Sequence, residues 1–142
     1  MGWQSDWLYQ LVFDEVDRVW HRAIKDGAGR FGPAPTTLLI SEMRDADWEN
    51  ARCRGDAHRQ WTYQGGQPEL VPLAEDGAVD VGEQRGMVYE RAAVTFCIDC
   101  DRKRIVFNYT LGPRYGRGMV FAVIGQGAKG RLSPTGGTMW VS

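Results

Sequence analysis

Cys97-Ile98-Asp99-Cys100 carries the C-x2-C spacing of half a zinc site, and Cys53 and His58 supply the residue types for the other half. Thiolates and imidazoles are the ligands that structural zinc takes. Against that reading, Cys97 falls on an expected strand, where residues three apart point to opposite faces. The two thiols converge only if the chain bends sharply at a hairpin tip, and Cys97–Cys100 contains no glycine to permit the bend. Buried or incidental cysteines, with no metal and no cofactor, are the expectation. A nucleophile–base pair of Cys53 and His58 lacks a third group to orient the imidazole.

Carboxylates crowd after the first expected strand: Glu42, Asp45, Asp47 and Glu49 surround Arg44. Such a cluster can hold a hard divalent cation or divide acid and base roles between two members. A solvated acidic turn is the commoner outcome. Gly125-Gln126-Gly127-Ala128-Lys129-Gly130 matches the GxGxxG pattern of dinucleotide-binding loops. That motif works by aiming a helix N-terminus at a pyrophosphate. The following Arg131-Leu132-Ser133-Pro134-Thr135-Gly136-Gly137 does not start a helix, so a glycine-rich turn between strands is expected. No serine elbow, Walker loop or HExxH motif occurs, and the chain has only two histidines, His21 and His58. The case for an enzyme is thin.

The segment singled out for binding is Gly112-Pro113-Arg114-Tyr115-Gly116-Arg117-Gly118. It joins two expected strands and places two arginines around a tyrosine. Guanidinium forks and exposed backbone amides suit a phosphate or a partner carboxylate, and Arg and Tyr are frequent interface anchors. Charge distribution supports an anionic partner. Residues 101–142 hold seven basic residues, among them Arg102 and Arg104, against one acid, Asp101, a net of +6; residues 1–100 therefore carry −7 of the overall −1. The near-neutral total argues against general nucleic-acid binding, which normally shows a clear positive excess.

These side chains must be positioned by a single domain: 142 residues, 43% hydrophobic and 11% aromatic, bury roughly two-thirds of the unfolded surface. No apolar run reaches the ~18 residues of a membrane span, and the start of the chain does not read as a signal peptide. An odd cysteine count fits a reducing, cytoplasmic setting. Residues 5–26 predict a helix, with Leu8, Leu11, Val12, Val16, Val19, Trp20, Ala23 and Ile24 on one face and Ser5 as its cap. Strands are predicted at Thr36–Ser41, near Gln60–Tyr63, at Val88–Asp99, at Ile105–Leu111, at Met119–Ile124 and at Thr138–Val141. Between the second and third of these, residues 65–86 read as a long acidic surface loop.

The expectation is an α+β domain over residues 1–142, one long N-terminal helix packed on an antiparallel sheet of about four to six strands. Its expected function is non-enzymatic binding of an acidic protein surface or a phosphorylated small molecule through Arg114, Tyr115, Arg117, Arg102 and Arg104. The alternatives are a small enzyme using Glu42 or Asp45 in a helix–sheet cavity and a homodimeric structural subunit, with the six tryptophans either filling the core or lining a pocket.

Overall fold

The computed structural model describes residues 6–27, 38–73, 93–110 and 115–141. Ser5, Thr36, Thr37, Val88, Leu111, Arg114 and the acidic stretch from 74 onward lie outside the described residues, as do the side chains of Trp20, Ala23, Ile24, Tyr115 and Trp140. Helix α1 spans Asp6–Gly27. The strands are β1 Leu38–Asp47, β2 Arg52–Tyr63, β3 Glu69–Val71, β4 Ala93–Asp99, β5 Arg104–Thr110, β6 Tyr115–Ile124 and β7 Arg131–Val141. They form one sheet in the order β3-β2-β1-β4-β5-β6-β7.

Two features correct the expected architecture. The sheet has seven strands and is mixed, because β1 pairs with β4 in parallel, Ile40 opposite Val94 and Glu42 opposite Phe96. Among the described residues the molecule is mostly sheet, carrying one short N-terminal helix of 22 residues. The absence of a strand–helix–strand repeat argues against parallel pairing, but such a pair requires only a long crossover connection. Here that connection contains β2, β3 and the residues up to 92. The short strand β3 falls inside the stretch read as an acidic loop; its Glu69 and Leu70 are exposed, so no apolar alternation announces it.

Strand lengths also exceed the apolar runs. β1 continues through the acidic stretch to Asp47, and β2 begins at Arg52, well before Gln60. Cross-strand charge complements replace hydrophobic alternation there: Asp45 lies opposite Arg54 and Asp47 opposite Arg52, the kind of pairing that stabilises exposed ladders.

One face of the sheet packs on α1. Val12 and Val16 are fully buried against Leu38, Ile40, Val94, Phe96, Ile105 and Phe107. Aromatic rings fill the layer, Trp61 stacked on Phe96 at 5.9 Å and Phe107 edge-on to Phe121 at 5.4 Å. Three tyrosine hydroxyls tie the helix to the sheet by donating to carboxylates: Tyr9 to Glu42, Tyr63 to Asp17 and Tyr109 to Glu15. α1 starts at the sheet end formed by the β4–β5 and β6–β7 connections, where Trp7 meets Gly130, and runs towards the end marked by Tyr63 and Tyr109.

The opposite face is covered by the chain itself. Extra residues on β2 break the β1–β2 register between Glu42 and Met43 and again between Met43 and Asp45, and bulges of this kind bend a hairpin. The distal hairpin therefore curls over β4–β6, burying Ala51, Cys97 and Val106 with Trp48, Cys53 and Val120 against them. Gly118 permits this seat: a Cβ there would overlap the Ala51 carbonyl. β5 is buried on both faces as a result, from Ile105 to Tyr109.

Candidate functional site

Four exposed cations gather at the sheet end where α1 begins. Arg102 and Lys103 form the β4–β5 turn, which Asp99 shapes by accepting the Arg102 amide at 3.2 Å. Lys129 closes a single 3-10 turn, Gly127–Lys129, and Arg131 opens β7. The Val123 amide donates to the Lys103 carbonyl at 2.8 Å and Arg131 lies opposite Ile124, so the two connections are bound side by side. With strands about 4.8 Å apart, Lys103 and Arg131 are about 10 Å from each other across the sheet. Among the described residues none of the four cations is in an ion pair, and the exposed acid in the same turn is Asp101.

Between this turn and α1 lies a recess of ≈ 100 Å³ lined by Trp7, Leu8, Ile98, Asp99, Cys100, Lys103, Val123 and Gln126. Its wall is rigid because Gly130 lets the β6–β7 connection lie directly on the Trp7 ring; a Cβ at Gly130 would come within 2.7 Å of Cζ3. The Cys100 thiol is exposed, but partial burial and the neighbouring Asp101 and Asp99 charges raise its pKa. It stays a neutral thiol, a poor nucleophile.

A second polar cluster sits between α1 and the sheet. Glu42 is almost fully buried. Its Oε2 accepts the Tyr9 hydroxyl at 2.6 Å, and its Oε1 takes Arg59 Nε at 2.9 Å with His58 Nε2 3.2 Å away. The bulge explains why two adjacent residues reach one carboxylate. His58 is the extra residue, so it and Arg59 both stand opposite Glu42. Arg59 also donates to the Tyr9 hydroxyl and lies 4.7 Å over the Tyr9 ring. Burial, then the Glu42 contact, drives the Tyr9 phenol well above its ordinary pKa, so it remains a donor. Both carboxylate oxygens are engaged. His58 Nδ1 is buried and has no hydrogen-bond partner among the described residues. The cluster joins α1 to the bulge and so to the curled hairpin.

The sequence-based candidates separate. Arg102 and Arg104 lie at the β4–β5 turn, whereas Arg117 lies near the far end of β5, opposite Tyr109. The stretch of β5 from Arg104 to Tyr109 puts about 17 Å between the two groups, so they do not form one site. Arg117 is exposed, Arg114 is outside the described residues, and of Tyr115 the backbone is described. Arg104 is already engaged: Nε donates to Asp99 at 3.2 Å and its guanidinium lies 4.0 Å over the Trp48 ring. It fastens the hairpin to the sheet. Lys103, Lys129 and Trp7 were not singled out by sequence reasoning, and the basic balance of residues 101–142 was the signal that could have found the two lysines.

Cys53 and Cys97 belong to the cluster beneath the curled hairpin, while His58 is turned to Glu42 and Cys100 to the recess. Among the described residues no three His, Cys, Asp or Glu side chains converge on a point able to hold a metal ion. Nor, among these residues, is any helix long and apolar enough to cross a membrane. Among the described residues the fold and site thus define a mixed seven-stranded sheet with one covering helix and a cationic end. No family model, curated protein or solved structure matches the chain.

Proposed function

We propose that this protein is a non-enzymatic binding protein that recognises an acidic partner protein at the sheet end bearing Arg102, Lys103, Lys129 and Arg131. The observation that carries this reading is that four exposed cations on two adjoining connections make no ion pair among the described residues. Side-chain ammonium and guanidinium groups held on turns between paired strands favour charge-assisted bonds to carboxylates and speed encounter with an acidic surface. Size separates the two anionic partners. Pockets for small molecules typically hold roughly 300–1,000 Å³, against ≈ 100 Å³ here, which favours a protein surface over a phosphorylated metabolite. The enzyme alternative draws no support from Glu42, whose oxygens are committed to Tyr9, Arg59 and His58.

The test is a titration of the isotopically labelled protein with a synthetic aspartate- and glutamate-rich octapeptide, followed by amide chemical shifts. Shifts concentrated at residues 100–103 and 126–131, weakening steeply as salt rises, are the expected result. The same shifts should vanish in the triple variant Arg102→Glu, Lys103→Glu, Lys129→Glu. Undiminished binding by that variant, or shifts elsewhere, overturns the assignment. If inorganic pyrophosphate perturbs these amides and the peptide does not, the partner is a phosphorylated small molecule instead.

A further inference from the structure

The basic end contains an apolar recess that carboxylates alone do not use. Trp7 and Leu8 from the first turns of α1, Ile98 from β4 and Val123 from β6 enclose it, and the stem of Lys103 and Gln126 form its rim. Resting on the reading above, we infer that the acidic partner inserts one aliphatic side chain here, so that its recognition element is a short acidic segment with a single Leu, Ile, Val or Met anchor.

Three observations carry this. The volume of ≈ 100 Å³ is small beside the roughly 150 Å³ cavity that accommodates a benzene ring, which favours an aliphatic group over an aromatic one. The walls are chiefly hydrocarbon. A water there finds few polar partners and is displaced with gain. The recess is also preorganised, since Gly130 packs directly on the Trp7 ring and holds that wall in place. An anchor entering a preformed site costs less ordering than one that must create it. The surrounding cations Arg102, Lys103 and Lys129 then meet acidic residues flanking the anchor. This arrangement, an apolar centre inside a polar rim, is the usual anatomy of a protein interface.

Two octapeptides of identical charge distinguish the outcomes, one with leucine at the centre of the acidic run and one with alanine there. Burial of the leucine should tighten binding by about tenfold to a hundredfold. The leucine peptide alone should shift the Trp7 indole and the methyl signals of Ile98 and Val123. Filling the recess from its exposed wall, with Cys100→Leu, should remove the advantage of leucine over alanine. Equal affinities with silent methyl signals overturn this inference while leaving the basic end as a site for acidic partners. Failure of both peptides to bind overturns both readings.

Discussion

The Asn108 side chain donates from Nδ2 to the Ala51 carbonyl at 2.6 Å, joining the middle of β5 to the tip of the β1–β2 hairpin, 57 residues away in the chain. The same side chain accepts the Cys53 amide on Oδ1 at 2.7 Å. One amide group thus satisfies a donor and an acceptor of a backbone that has left its own ladder to curl over the sheet. A buried, polar residue in the middle of an apolar strand has this as its physical reason.

Asn108→Ala should therefore be costly. It strands a buried carbonyl and leaves the Cys53 amide without its acceptor, each worth about 1–3 kcal/mol. A loss of about 2–4 kcal/mol in urea unfolding is expected, accompanied by faster hydrogen exchange at residues 43–57. An unaltered midpoint would mean that the hairpin does not rest on β5 in solution.

Gly118→Ala tests the same contact from β6. The added methyl meets the Ala51 carbonyl and, at 3.1 Å, Asn108 Nδ2, neither free to retreat. Overpacking of this kind costs about 1–3 kcal/mol. Gly136→Ala, where a Cβ meets nothing within 4 Å, is the control and should change stability by less than about 0.5 kcal/mol.

Glu42→Leu should destabilise by about 2–4 kcal/mol, because it leaves the Arg59 guanidinium and the Tyr9 hydroxyl without their carboxylate. Arg59 is itself partly exposed, which keeps the figure below that of a wholly buried pair. Tyr9→Phe removes the bond donated to Glu42 and the one accepted from Arg59 but leaves the Glu42–Arg59 pair in place, and should cost about 1–2 kcal/mol. Thermal unfolding of both variants checks the order; a Tyr9→Phe loss exceeding that of Glu42→Leu would contradict the cluster as described.

Thiol titration gives a prediction with a definite sign. Burial pushes Cys53 from the ordinary value near 9 up to about 12, and burial followed by the Asp45 and Glu42 charges takes Cys97 up to about 11. Both folded-state values are raised, so the folded chain holds these protons more tightly than the unfolded chain. The resulting stability is fully present below pH 9 and is lost as pH climbs through 11 to 12. At pH 8 a disulfide reagent should label one thiol in the native protein, the exposed Cys100, and three after denaturation. Rapid labelling of all three in the native state would show that the hairpin leaves the face it covers.

Local periodicity was enough to find α1, since Leu8, Val12 and Val16 follow the helical repeat and are all buried against the sheet. The alternation of Ile105, Phe107 and Tyr109 against Val106 and Asn108 likewise marked β5, because a strand must present alternate residues to opposite faces. The basic balance of residues 101–142 pointed to a cationic surface without saying where its members meet. β3 and the outer halves of β1 and β2 escaped notice because backbone pairing and charge complements hold them, and neither leaves an apolar period.

Long-range geometry lies beyond any such repeat. That β4 lies parallel to β1 depends on which strand edge is free when the crossover returns, and no local window contains that choice. Glu42 reads as part of a solvated acidic turn until the β2 bulge brings His58 and Arg59 opposite it and α1 supplies Tyr9. Arg104 and Arg117 look like members of one basic segment, yet an intervening strand sends them to opposite ends of the sheet. The recess exists because α1, β4 and β6, distant along the chain, end at one place, and the backbone of Gly130 is close enough to brace Trp7 there. Residue type and spacing are properties of neighbours along the chain, whereas a site is made by neighbours in space, and strand pairing is the step that converts one into the other.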